Sequence, residues 1–219
     1  MGKLLISASL LSANFANLKE EVRKCEKYGI DWLHYDVMDG IFVPNISFGI
    51  PIIKCIAPLT SLINDVHLMI TNPKKYVEKF LNLNADCVTF HIEAVEKKSD
   101  IDEIIDLVHK YHKKVGISVK PGTNKEILLP YLNKIDLVLV MSVEPGFSGQ
   151  KFMDEVLEKV TYYKDYRNKN NLHYLIEIDG GINNITAKKA LESGVDVVVM
   201  GNYCFNENME ENINYIKSL

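Results

Sequence analysis

No two cysteines in this chain stand at a Cys-x-x-Cys spacing. Its 4 cysteines, Cys25, Cys55, Cys87 and Cys204, lie far apart. That excludes a paired-thiol zinc site and predicts reduced, mostly buried thiols in a reducing compartment. Basic runs and RNA-binding signatures are also missing, and the net charge is -4, so nucleic acid is not an expected partner. No apolar run is long enough for a signal sequence or a membrane span; Leu4 to Ile6 is the opening one and is far too short. Gly2 begins an acylation motif that needs Ser or Thr at position 6, where Ile6 stands. No GxxxxGK[ST] sequence occurs, which excludes a Walker-type nucleotide site. No Pro/Gly/Ser linker or charge block divides the 219 residues, and 47% of them are hydrophobic, enough for one substantial core. The expectation is a single soluble, cytoplasmic domain over 1–219.

What the chain does have is alternation of strand and helix signals from end to end. Strands are predicted over Leu4–Ser9, Trp32–Met38, Leu62–Met69, Asp86–His91, Val115–Val119, Leu137–Val143, Tyr174–Asp179 and Val195–Met200. Helices are predicted over Asn17–Tyr28, Phe48–Ile56, Asn72–Leu83, Ser99–Lys113, Lys125–Tyr131, Asp154–Arg167, Ile185–Ser193 and Asn208–Lys217. Asn72-Pro73 reads as N-cap and first helical residue, and Ser99 as a cap. Fully apolar strands indicate a parallel sheet buried on both faces. Eight strand–helix units at this length predict an α/β fold, a (β/α)8 TIM barrel.

The stretch Leu33-His34-Tyr35-Asp36-Val37-Met38-Asp39-Gly40 carries the chemistry. Alternation puts His34, Asp36 and Met38 on one face of the strand and Leu33, Tyr35 and Val37 on the other. A buried carboxylate requires a partner or a metal. This octet alone is equally a buried His–Asp hydrogen bond, but the pattern recurs. His67 and Met69 end one strand on a common face, and Asp179 ends another just before Gly180-Gly181. His34, Asp36, His67 and Asp179 therefore form a four-ligand N/O set at separate strand ends. That set suits one zinc, iron(II), manganese or cobalt ion rather than calcium or magnesium.

Glycine-rich loops follow the last strands: Glu144-Pro145-Gly146-Phe147-Ser148-Gly149-Gln150, then Gly180-Gly181, then Gly201-Asn202. Such loops let backbone N–H groups approach an anion closely, and barrels of this kind commonly hold phosphate there. A small monophosphorylated substrate fits. His91 and Glu93 also lie at a strand end, with His91 read as an orienting or packed residue. Asp39 is expected to order a loop, and Cys204 to be structural.

Nearly the whole chain resembles the ribulose-phosphate 3-epimerase family. The resemblance rests on Ser9-Leu10-Leu11-Ser12-Ala13-Asn14-Phe15, His34 to Gly40, Phe42-Val43-Pro44-Asn45 and Asp65-Val66-His67-Leu68-Met69. It continues in Phe90-His91-Ile92-Glu93-Ala94, Met141 to Phe147, Gly149-Gln150-Lys151-Phe152 and Asp179-Gly180-Gly181-Ile182. The Val-Glu-Pro-Gly-Phe and Lys-Pro-Gly-Thr versions look like its eukaryotic branch. The resemblance implies interconversion of D-ribulose 5-phosphate and D-xylulose 5-phosphate in the pentose phosphate pathway, and a homo-oligomer, dimer or larger. It implies a divalent cation on His34, Asp36, His67 and Asp179, with Asp36 and Asp179 as the acid/base pair. Ser9 and His67 would contact substrate, Met38, Met69 and Met141 would line the site, and Gly146, Phe147, Ser148, Gly149, Gly180, Gly181, Gly201 and Asn202 would hold the phosphate. Three positions depart from the family's usual pattern: Ala8 before Ser9, Ser148 for a glycine, and Asn202 for a serine.

Epimerising a carbon beside a ketone removes a proton from one face and returns one on the other, through an enediolate. Two carboxylates on opposite faces serve as base and acid. The rival enzymes on the same barrel are metal-assisted lyases, whose Asp-x-Lys-x-x-Asp pattern is broken here by Met38, and an epimerase of a six-carbon ketose phosphate. The rival outside catalysis is a sugar-phosphate-binding barrel.

Overall fold

A computed structural model describes residues 3–219. Met1 and Gly2, and with them the acylation motif, lie outside the described residues. Eight parallel strands close into a barrel in sequence order, β1 pairing with β8. They are β1 (Leu5–Ser9), β2 (Trp32–Met38), β3 (Ile63–Met69), β4 (Cys87–His91), β5 (Lys114–Val119), β6 (Leu137–Met141), β7 (Leu175–Asp179) and β8 (Val197–Met200). The α-helices are α1 (Leu18–Tyr28), α2 (Ile50–Ile56), α3 (Pro73–Leu81), α4 (Lys98–Lys110), α5 (Leu157–Lys169), α6 (Asn184–Ser193) and α7 (Met209–Lys217).

Each strand shows the two-residue period. On β2, Leu33, Tyr35 and Val37 join the large cluster between barrel and helices, while Trp32 belongs to a separate apolar plug with Cys87, Leu137 and Val197. That plug closes one end of the barrel interior, where a buried parallel sheet needs layers of side chains. Buried polar residues such as Asp65, Thr89 and Glu177 stand two positions further along their strands than Ile63, Cys87 and Leu175.

Two expectations need correction. The segment after β5 is not an α-helix over Lys125–Tyr131 but a short 3-10 turn, Lys125–Leu128, entered through Asn124, whose side chain accepts from the Glu126 N–H. Pro130 has no N–H and its ring obstructs a preceding helical turn. Ser99 is not a cap either: α4 starts at Lys98 with Lys97 in the cap position, which places Ser99 inside the first turn. The predicted cap at Asn72 is present, its side chain accepting from the Lys75 N–H. Of the cysteines, Cys25, Cys87 and Cys204 are buried and free, whereas Cys55 is free and exposed. Among the described residues, no helix is long and apolar enough to cross a membrane.

Candidate active site

Strand register explains how the polar residues meet. The β2–β3 pairing sets His34 beside Asp65 and Asp36 beside His67. The β6–β7 pairing sets Met141 beside Asp179. Inside the barrel mouth, His34 Nε2 lies 3.3 Å from Asp36 Oδ1 and 3.9 Å from Asp179 Oδ2. His67 Nδ1 lies 3.2 Å from the same Asp36 oxygen and 3.3 Å from His34 Nε2. His34, Asp36, His67 and Asp179 each offer one atom to a common point, these atoms all within 4.8 Å of one another.

The donor set fits a divalent cation. Metal–ligand bonds of about 2.0–2.1 Å in a tetrahedron put neighbouring donors about 3.3 Å apart, as found for His34, Asp36 and His67. The donors themselves are imidazole nitrogens and carboxylate oxygens, the chemistry of zinc and iron(II) sites. The electrostatics agree. Burial alone would depress the His34 imidazole, but the Asp36 and Asp65 carboxylates outweigh it and raise His34 well above its ordinary range. The site draws positive charge toward its centre. Burial works against the Asp36 charge, yet His34 and His67 hold its carboxyl below the usual range. Burial, reinforced by the Asp36 charge, pushes Asp179 up to about 7. Two carboxylates that close together thus titrate far apart.

Above this cluster a pocket of about 600 Å³, counting its open mouth, is lined by Ser9, Asp36, Met38, Met69, Met141 and Asp179. The same pocket is lined on its other side by Gly146, Phe147, Ser148, Gly149, Gly180, Gly181, Gly201 and Asn202. Every residue expected at the site therefore borders one cavity except His34 and His67, which are fully buried beneath it. Ser9 donates to Asp36 Oδ2 at 2.6 Å, leaving Oδ1 to the histidines. Gly181 shows why this side of the pocket needs glycine. Its φ is +61°, and a Cβ there would meet the Phe152 nitrogen at 2.6 Å.

Several site residues were not foreseen. Asp65 Oδ2 lies 2.6 Å from His34 Nδ1, so His34 donates there and keeps its Nε2 lone pair for a cation. Ser142 leaves the β6 ladder to hold the end of β7: its N–H donates to the Asp179 carbonyl at 2.7 Å, and its hydroxyl lies within 2.7 Å of the Gly180 carbonyl. Glu177 is fully buried, and neither carboxyl oxygen has a hydrogen-bond partner among the described residues, although Oε1 lies 4.0 Å from His34 Nδ1. Burial, then the Asp65 charge, pushes Glu177 well above its ordinary range. The signal for Asp65 and Glu177 was present: each stands two residues before a ligand, on the same strand face.

Asp39 orders its loop as expected, accepting from the Ile41 and Phe42 N–H groups at 2.9 and 2.8 Å and from Thr71. Lys120 points its ammonium over the Phe42 ring at 4.1 Å rather than at the ligand set. Asn45 of the β2–α2 loop donates to the Gly146 carbonyl at 2.7 Å, tying that loop to the glycine side of the pocket.

The ribulose-phosphate 3 epimerase family model matches residues 5–205. The chain belongs to that family. It is 44% identical over 200 residues to the ribulose-phosphate 3-epimerase of Mycobacterium bovis, covering 91% of this chain and 85% of that one. It is 40% identical over 212 residues to the enzyme of that name from Schizosaccharomyces pombe, covering 95% and 90%. Among solved structures, 3-keto-L-gulonate-6-phosphate decarboxylase from Vibrio cholerae superposes with a TM-score of 0.76 at 10% identity, covering 99% and 97%. 3-Hexulose-6-phosphate synthase from Salmonella typhimurium does so at 0.70 and 18%, covering 98% and 97%. These last two share the barrel.

Proposed function

We propose that this protein is a divalent-metal-dependent epimerase that interconverts D-ribulose 5-phosphate and D-xylulose 5-phosphate by proton transfer at C3. The observation that carries it is the convergence of two carboxylates from separate strands, two imidazoles and three glycine-bearing loops on one pocket. Family membership supplies the substrate.

His34, Asp36, His67 and Asp179 would hold the cation. When bound, a divalent ion supplies Lewis-acid stabilisation, worth several kcal/mol, for negative charge developing on two adjacent substrate oxygens. Asp36 and Asp179 are assigned as the two proton carriers, one as carboxylate taking the C3 proton and the other as carboxylic acid giving its own proton to C3 on the opposite face. Each exchanges its role in the reverse direction. Ser9, bonded to Asp36 Oδ2, orients that carboxylate and fixes which of its oxygens faces the histidines. Met38, Met69 and Met141 cover the reacting carbons with uncharged sulfur that does not compete for protons. The N–H groups around Gly146–Gly149, Gly180-Gly181 and Gly201-Asn202 take the phosphate. The single-domain organisation over 1–219, a cytoplasmic setting and a homo-oligomeric state complete the proposal. A relative from Oryza sativa is named a cytoplasmic isoform.

The test is turnover of ribulose 5-phosphate through a coupled xylulose 5-phosphate readout. The protein is first stripped with chelator, then given zinc, iron(II), manganese or cobalt singly, with bound metal measured in parallel. Metal-dependent restoration is expected. Full activity with no metal bound would end the metal-dependent reading, and a loaded site without turnover would end the substrate assignment.

A further inference from the structure

His91 is fully buried and is not one of the cluster's four ligands, yet its ring lies between one of them and the rim of the barrel. Its Nε2 is 2.9 Å from His67 Nε2. Its Nδ1 is 3.2 Å from Glu93 Oε2. The other Glu93 oxygen is already occupied: it accepts from the Lys120 N–H at 2.8 Å and from the Thr123 hydroxyl. Phe42 packs on the far side of His91 with ring centroids 4.9 Å apart, shielding the ring from solvent.

Hydrogen-bond valence makes this chain directional. A carboxylate only accepts, and a neutral imidazole has one N–H and one lone pair. Facing Glu93, His91 therefore carries its proton on Nδ1. Its Nε2 is then an acceptor. Two buried ring nitrogens at 2.9 Å need one proton between them, so His67 must carry its proton on Nε2. That leaves a lone pair on His67 Nδ1 facing Asp36 Oδ1 at 3.2 Å, two acceptors that need between them a cation or, without one, a proton on His34 Nε2, which lies 3.3 Å from each. We propose that Glu93 is a positioning residue for the metal centre: through His91 it selects the tautomer of His67 that can bind a cation. This rests on the reading that the four-residue set holds a metal. It assigns Glu93 no contact with substrate.

The geometry gives an order of variants that a structural role would reverse. In Glu93→Gln the Lys120 N–H still needs an acceptor, so the amide oxygen turns toward it and the NH2 group faces His91. That NH2 donates to His91 Nδ1. His91 then moves its proton to Nε2, and His67 must accept there and turn an N–H toward the cation. Glu93→Ala leaves Nδ1 of His91 without a partner and free to keep either tautomer. The isosteric glutamine should therefore be more damaging than alanine, although it preserves more packing.

The experiment is zinc binding by chelator competition on the wild-type chain, Glu93→Gln and Glu93→Ala. Long-range 1H–15N spectra of the histidine rings in the metal-free proteins accompany it, with melting curves to confirm folding. Zinc affinity should fall roughly 10- to 100-fold in Glu93→Gln and by less in Glu93→Ala. The wild-type spectra should show His91 protonated on Nδ1 and His67 on Nε2, and both should exchange in Glu93→Gln. Wild-type zinc affinity in Glu93→Gln, a larger loss in Glu93→Ala, or the opposite wild-type tautomers would overturn the relay. Absence of zinc binding by the wild type would overturn the metal reading beneath it, and the ring spectra distinguish that failure from the relay's own.

Discussion

The two sides of the barrel mouth are made from different material. Strands β2 and β3 deliver side chains: His34, Asp36 and His67, all buried and held by further polar residues such as Asp65. The loops after β6, β7 and β8 deliver backbone, with Gly146, Gly149, Gly180 and Gly181 all at positive φ. Asp179 stands at the seam, the last residue of β7 and the first before those glycines. On the first side, function depends on which atom ends the side chain. On the second, it depends on the glycine positions carrying no side chain. The two sides should therefore fail differently under substitution.

The largest effect belongs to the seam. Asp179→Asn keeps shape and an oxygen for a cation but removes a proton carrier. Turnover in metal-loaded protein should fall by roughly 10³-fold or more, near the upper part of the range for a positioned acid/base group. Metal content measured on the same sample separates loss of chemistry from loss of the ion. Residual activity within about tenfold of wild type would sink the assignment of Asp179 as base.

On the backbone side, Gly181→Ala should act through shape. The new Cβ would lie 2.6 Å from the Phe152 nitrogen and 2.9 Å from the Gln150 carbonyl, at a φ of +61°. Strain of that kind amounts to about 1–3 kcal/mol. It should appear as a lower melting temperature and a raised KM, with metal affinity unchanged. A loss of zinc binding instead would show that the two sides are not separable.

A smaller, graded effect tests the side-chain half by pH. Asp179 is pushed up to about 7, by burial first and then by the Asp36 charge. A cation needs the ionised carboxylate, so proton and metal compete there. Above about pH 7 the carboxylate is free of its proton and adds no further slope, while the raised His34 imidazole adds a separate one. Below it, affinity should fall by about tenfold per pH unit for this one group. Chelator competition between pH 8 and 5.5 reads the slope. A flat profile would mean that Asp179 is not a ligand.

This contrast also explains what could be read in the sequence. The strands were legible because a two-sided buried sheet leaves apolar runs such as Leu137–Met141, and β2 matches its predicted bounds at Trp32–Met38. His34, Asp36, His67 and Asp179 were legible because strand alternation and strand ends are local properties. The pairing of His34 with Asp65 was not, because it depends on the β2–β3 register across 31 residues. Ser142 escaped notice for the same reason: its partners, the Asp179 and Gly180 carbonyls, lie on the neighbouring strand end. The glycine loops were legible as backbone able to approach an anion closely, but the sequence did not show which neighbour crowds each one.

The smallest effect, and the sharpest test of the backbone side, concerns Asn202. This exposed residue stands where a serine is usual, and its side chain leans over the β6 loop: a Cβ built on Gly149 would meet Asn202 Nδ2 at 2.9 Å. Asn202→Ser leaves its backbone N–H in place and exchanges one neutral side-chain donor for another. A hydrogen bond of that kind is worth about 1 kcal/mol net, so KM should move by no more than about fivefold and kcat should not change. Gly149→Ala should be worse, because it adds both the contact with Asn202 and a φ of +76° that alanine resists. In the double variant the contact is relieved and the backbone strain remains. The double-variant loss should therefore be smaller than the sum of the single losses, with steady-state KM as the readout. Strict additivity would mean that the Asn202 side chain does not rest on Gly149 in solution. The phosphate side would then tolerate changes in its exposed side chains independently of the glycines beneath them.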